Sequence, residues 1–302
     1  MRQPPQIRML PDGRRLHLND GPIDLIIEGF GDAGKVRAAY HAAATRFATI
    51  LDELCSELPL LRAPFRPGCL LPGGVVASRM ARAVAPFGDR CFITPMAAVA
   101  GSVAEEILLA MTSASNLERA YVNNGGDIAF HLTSGTQFAA GMIASPDRPC
   151  LFGAATLHFD EPVRGIATSG WHGRSFSLGI ADAVTVLAST ASQADAAATI
   201  LANAVDLPSH AAILREPARD LAPDNDLGDI LVTRFVPRLI EHEIQTALAA
   251  GVQVAEELRA ANLIVSAALA LQGRARIVGD PVNALPLRTR FSYSVNRSPL
   301  HA

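Results

Sequence analysis

Between residues 120 and 168 the chain alternates apolar and polar residues in four consecutive segments: 120–132, 138–144, 151–159 and 165–168. Period-two alternation marks strands with one buried face. Strands joined by short turns must pair antiparallel, because a parallel pair needs a crossover of a dozen residues or more. Helical patterns flank this run instead of interrupting it. The arrangement predicts an α+β fold, mainly antiparallel sheets packed with long helices, and not an alternating doubly wound sheet. The flanks agree. Two apolar runs at 14–18 and 23–28 are split by Asn19-Asp20-Gly21-Pro22, a hairpin signal. Apolar residues at Val36, Tyr40, Ala43, Phe47, Ile50, Leu54 and Leu58 step by three and four, which predicts a long amphipathic helix over 35–58. Further helices are expected at 74–84, 96–111, 192–205 and 241–261, and strands at 90–94, 181–188, 263–271 and 275–278. The Pro- and Asp-rich stretch 206–228 reads as a linker or excursion. With 302 residues, 49% of them hydrophobic, the chain can bury the core of one domain or of two intimate subdomains.

Charge and cysteine usage exclude several partners. A net charge of −3 and a pI near 6.2 give no footprint for nucleic acid. Cys55, Cys69, Cys91 and Cys150 are widely spaced with no CxxC, so they read as reduced thiols. The opening MRQPPQIRML lacks the apolar stretch of a signal peptide, and no window approaches the ~18 charge-free apolar residues of a membrane span. A cytoplasmic protein with no membrane partner is the expectation.

The stretch DLIIEGFGDAGKVRAAY (24–40) fits GxGxxG through Gly29, Gly31 and Gly34, and GxxxxGK through Gly29 and Lys35. A dinucleotide fingerprint needs a second parallel strand after the helix, but a proline-broken segment follows. A P-loop needs Ser or Thr after the lysine, where Val36 stands. The stretch is read as a turn into a helix.

Four later segments carry more chemistry. Asn123-Asn124-Gly125-Gly126-Asp127 lies within an apparent strand, where paired glycines imply close backbone approach or a hairpin turn. Thr168-Ser169-Gly170 offers hydroxyls and N–H groups to phosphate oxygens, or is an ordinary strand-end turn. Trp171 and His172 follow, able to stack on a planar ligand or to close the core. Asp195 and Thr199 share one helix face at i and i+4, a separation at which carboxylate and hydroxyl could reach one hard cation. Spacing alone favours another reading of Ser192-Gln193-Ala194-Asp195: a capping box in which Asp195 accepts the Ser192 N–H.

Taken in order, GG-D (125–127), ATSG (167–170) and ADAAAT (194–199) resemble the ApbE superfamily, the FAD:protein FMN transferases. The likeness is greater to a non-exported sister branch, through TPMAAVAG (94–101), NGGDI (124–128), ADAVTV (181–186) and ADAAAT. The resemblance implies that Asp195, Thr199 and Ala97 hold Mg²⁺. It further implies that Thr94, Ala97, Asn124, Gly125, Gly126, Asp127, Thr168, Ser169 and Gly170 line a pocket for FAD, as substrate or ligand. The implied reaction passes FMN to a Thr or Ser of an acceptor flavoprotein with release of AMP, assigning catalytic roles to Asp195 and His172. A homo-oligomer is compatible with the resemblance. Three departures stand out. The histidine-rich HHIIDP-like stretch of the transferases is replaced by RSFSLGIAD (174–182), the usual lysine before the upstream glycine is Ala100, and the exported lipoprotein signal is missing. Sister-branch relatives are associated with sulfide-dependent homocysteine formation. The resemblance therefore leaves three functions open: FMN transfer, a sulfur-assimilation role, and flavin or nucleotide binding without catalysis.

Overall fold

The computed structural model describes residues 4–143 and 151–279. Nine strands form one sheet, antiparallel at every pairing, in the order β1 (Gln6–Met9), β2 (Leu16–Asp20), β3 (Ile23–Phe30), β4 (Arg119–Asn124), β5 (Asp127–Leu132), β8 (Gly165–Ser169), β9 (Ala183–Ala188), β12 (Ser266–Leu271) and β13 (Arg274–Val278). Two antiparallel ribbons stand apart from it, β6 (Gln137–Ile143) with β7 (Leu151–His158) and β10 (Leu214–Pro217) with β11 (Leu231–Phe235). The helices are α1 (Ala33–Ser56), α2 (Leu58–Arg62), α3 (Val75–Val84), α4 (Val99–Ala114), α5 (Ala191–Ala204), α6 (Ala218–Leu221) and α7 (Glu241–Ala260).

Strand alternation separates two cores. Val122, Ala129, Ala167, Val184 and Val186 join Phe47, Met80, Ile107 and Leu201 of the helices. Their sequence neighbours Tyr121, Phe130, Ile166 and Leu187 join Phe138 and Leu157 of the β6–β7 ribbon. Because neighbours on a strand point to opposite faces, the long helices cover one face of the sheet and the ribbon covers part of the other. The α+β expectation therefore holds.

The glycine-rich stretch at 29–35 is a turn. β3 pairs antiparallel with both of its neighbours, which leaves no βαβ unit. Gly31 takes a φ of 136°, and Asp32 caps α1 by accepting the Gly34 and Lys35 N–H groups at 2.8 and 3.2 Å. The buried face of α1 (Tyr40, Ala43, Phe47, Ile50, Leu54) is the one predicted by its spacing.

Two elements differ from expectation. Residues 90–94 form no strand: Ile93 is buried, but its carbonyl accepts a single bond from Phe65 N–H at 2.8 Å, with Pro95 just beyond. An apolar residue without a neighbouring strand is not enough to make one. The 206–228 excursion is no plain linker, since it contains β10 and α6, with β11 following. Leu214, Leu231 and Phe235 are exposed, so this ribbon shows no buried alternation to read.

The segment Pro95–Ala114 is long and apolar enough to cross a membrane by length and composition. Here it begins as a short 3-10 turn and continues as α4, packed among α1, α3, α5, β4 and β5. Its two acidic residues are held inside the protein. Arg79 lies 3.2 Å from Glu105 and 2.9 Å from Glu106, and Arg46 lies 2.7 Å from Glu106.

Candidate functional site

The predicted residues meet where α4 and α5 start. The first turn of α5 is capped by Thr190, whose hydroxyl accepts the Gln193 N–H at 3.2 Å. The Ser192 N–H goes to Glu105 of α4 at 2.6 Å. Asp195 therefore does not take the Ser192 N–H, and the capping-box reading is corrected. Its Oδ2 instead accepts the Gly101 N–H at 2.9 Å, in the first turn of α4, with the Ala100 N–H also favouring its charge. Ala98, the N-cap of α4, has no capping side chain of its own. The two helices thus cap each other, each supplying a carboxylate to the other's unpaired N–H groups and positive dipole end. Gly101 makes the approach possible, because a Cβ there would lie 2.3 Å from the Ala191 carbonyl oxygen.

The β4–β5 hairpin brings the second carboxylate. Gly125 and Gly126 form its turn with φ of 65° and 115°, and Asn123 Oδ1 accepts the Gly126 N–H at 2.8 Å. The hairpin reading of these glycines holds, and so does close approach: a Cβ on Gly125 would lie 2.1 Å from Arg174 Nη2. Asn124 donates to the Ala100 carbonyl at 3.1 Å, tying the hairpin to the start of α4. Asp127 shares the face of Ala129, toward the helices, and accepts the Thr168 N–H at 3.2 Å.

Asp127 and Asp195 are each partly exposed yet enclosed by protein on most sides. Burial raises the Asp127 carboxyl to about 7, against the opposing pull of the Thr168 N–H and the Arg174 charge. Burial also lifts Asp195 well above the ordinary carboxylate range. The Asp127 charge lifts it further, and the Gly101 and Ala100 N–H groups oppose the rise. The pair is short of positive charge. Among the described residues no cluster of three His, Cys, Asp or Glu side chains could hold a metal. Two carboxylates that repel one another are nonetheless hard oxygen donors, and they fit a magnesium-like ion whose remaining positions go to hydroxyl, water or substrate oxygen.

The other predicted residues divide. Thr199 is partly exposed one turn beyond Asp195 on α5. Ala97 sits in the 3-10 turn before α4, its N–H bonded to the Thr94 carbonyl at 3.1 Å. Thr94 is buried and its hydroxyl donates to Asp226. The Thr168 hydroxyl pairs with Thr185 at 2.9 Å on the sheet face away from the helices, so only its backbone reaches Asp127. Ser169 ends β8 half-buried. Gly170 lets the chain pass the Asp182 carbonyl, which a Cβ would approach to 2.4 Å. His172 stacks on Trp171 with ring centroids 3.8 Å apart, and its Nε2 lies 3.6 Å from Asp182. Two participants went unpredicted. Glu105 is hidden in an apolar helix, and Arg174 in a polar loop whose spacing gives no signal of its approach to Gly125. Cavities of about 100 Å³, near Phe65 and Cys69, and about 350 Å³, near His210 and His242, lie elsewhere; neither is lined by Asp127 or Asp195. Burial pushes the Cys91 thiol up, the opposite of an activated thiolate, and Cys150 lies outside the described residues.

Over residues 7–277 the chain matches the model of a family described as "AbpE bacteria". A UPF0280 protein of Methanopyrus kandleri is 41% identical over 130 residues, 42% of this chain and 48% of that one. A UPF0280 protein of Methanosarcina acetivorans is 33% identical over 184 residues, 60% of this chain and 68% of that one. The chain thus spans about half to two thirds of the length of these relatives. The apo form of the flavinyl transferase ApbE of Pseudomonas stutzeri covers 66% of this chain at 13% identity, with a TM-score of 0.35.

Proposed function

The chain belongs to the AbpE bacteria family, and from that premise we propose that it binds a flavin nucleotide and, with Mg²⁺, transfers FMN from FAD to a protein hydroxyl. One observation carries the reading. Asp195, set by its motif in α5, lies beside Asp127 of the NGGD hairpin at the first turn of α4. Asp195 and Thr199 would hold the cation, with Asp127 alongside it. A bound divalent cation supplies charge neutralisation for the FAD diphosphate. The protein's own part is orientation. The reciprocal caps fix Asp195, Asn124 fixes the hairpin on α4, and Gly126, with open space where a Cβ would stand, leaves backbone bare for a ligand to approach. Such a site asks little covalent chemistry of its side chains, which accords with phosphoryl-type transfer.

A second reading, flavin binding without transfer, draws support from His172. Its charged neighbour is Asp182 and neither site carboxylate, so His172 is not placed beside them to take a proton from an incoming hydroxyl. Purified protein incubated with FAD, Mg²⁺ and candidate acceptors separates the two. AMP release with a flavin-labelled acceptor supports transfer. FAD binding without AMP supports the second reading, and no FAD binding refutes both.

A further inference from the structure

We infer that Arg174 grips the diphosphate of the substrate at the Gly125–Gly126 turn and thereby selects charged flavin nucleotides over uncharged flavin. This rests on the reading above and names the group that recognises the phosphates.

Three observations lead to it. The Arg174 guanidinium lies so close over Gly125 that a Cβ there would fall 2.1 Å from Nη2. Its charge reaches Asp127. It also makes no hydrogen bond and no ion pair with any described residue, so its planar fork of donors lies over the turn with all of its N–H groups free for a ligand.

Charge bookkeeping at the site gives that fork a purpose. The two carboxylates use up the charge of one divalent cation, so the negative charge of an arriving diphosphate needs another positive group. Arg174 is exposed, belongs to the loop after β8, and sits at the edge of the same hairpin. A guanidinium can take two phosphate oxygens at once, whereas an ammonium offers only a point charge. If Arg174 served only to neutralise Asp127, its loss would weaken every ligand of the site alike.

The experiment titrates the full chain, wild type, Arg174→Ala and Arg174→Lys, with FAD, riboflavin and inorganic pyrophosphate in Mg²⁺ at fixed ionic strength. Far-UV circular dichroism checks the fold. Loss of a charge-assisted bidentate contact should weaken FAD and pyrophosphate about tenfold or more and leave riboflavin unchanged. Arg174→Lys should restore only part of the loss. An unchanged FAD-to-riboflavin ratio in Arg174→Ala overturns the inference. Arg174-dependent pyrophosphate binding without FAD binding keeps the inference and refutes the flavin reading. A wild type that binds neither FAD nor pyrophosphate overturns both.

Discussion

Asp127→Asn should stabilise the metal-free protein at and above neutral pH and change little below about pH 4. Burial lifts the Asp127 carboxyl from 3.8 to about 7, so the folded state holds its proton more tightly than the unfolded chain does. For a raised carboxyl the sign is fixed. Its contribution is fully present below about pH 4 and is lost as pH rises through 7. At about 1.4 kcal/mol per unit, ionising it in the fold costs at most ~4 kcal/mol; partial solvent contact reduces the expected figure to roughly 2 kcal/mol. Asparagine keeps the shape and can still accept the Thr168 N–H, so it removes the charge with little else. Removing that charge also relieves Asp195. The assay is urea unfolding in EDTA from about pH 4 to pH 8.5 for both proteins, and the stability difference should open between about pH 4 and pH 7 and stay level above that. Parallel curves, or a variant less stable at pH 8, would refute the claim that this carboxylate pair is short of positive charge. Saturating Mg²⁺ should invert the ranking, adding about 2.7 kcal/mol to the wild type at one hundred times its Kd and less to the variant.

Gly101→Ala should be severely destabilising, by several kcal/mol in chemical denaturation, because the new Cβ meets the Ala191 backbone at 2.3 Å, where no flexible side chain can yield. Glu105→Ala should cost about 1–3 kcal/mol by leaving the buried Ser192 N–H unpaired, and Glu105→Gln should recover much of it. Thr190→Ala should cost about 0.5–2 kcal/mol through the lost cap of α5, read as a lowered Tm, while leaving FAD affinity intact.

Much of the architecture could be read from periodicity, since the features it tracks are local. The faces of α1 and the β2–β3 and β4–β5 hairpins follow from apolar spacing and turn glycines. Irregular structure misled it: buried Ile93 imitated a strand, and exposed Leu231 and Phe235 disguised one. At the site, Ser192-x-x-Asp195 satisfied a local capping rule, yet both groups found partners on α4, in Glu105 and Gly101. Reciprocal capping between helices about ninety positions apart has no local pattern, so only the packing at Gly101 could reveal it. Arg174 was unreadable for the same reason, because its meaning comes from Gly125 on another strand pair.

The most direct test is the Mg²⁺ dependence of FAD binding, by calorimetric titration of wild type and Asp195→Asn. Asparagine can keep the Gly101 N–H bond while removing the charge. The account predicts that Mg²⁺ tightens FAD binding to the wild type and does nothing for the variant, whose fold is retained and whose melting temperature in EDTA is no lower. Equal Mg²⁺ enhancement in both proteins would contradict it.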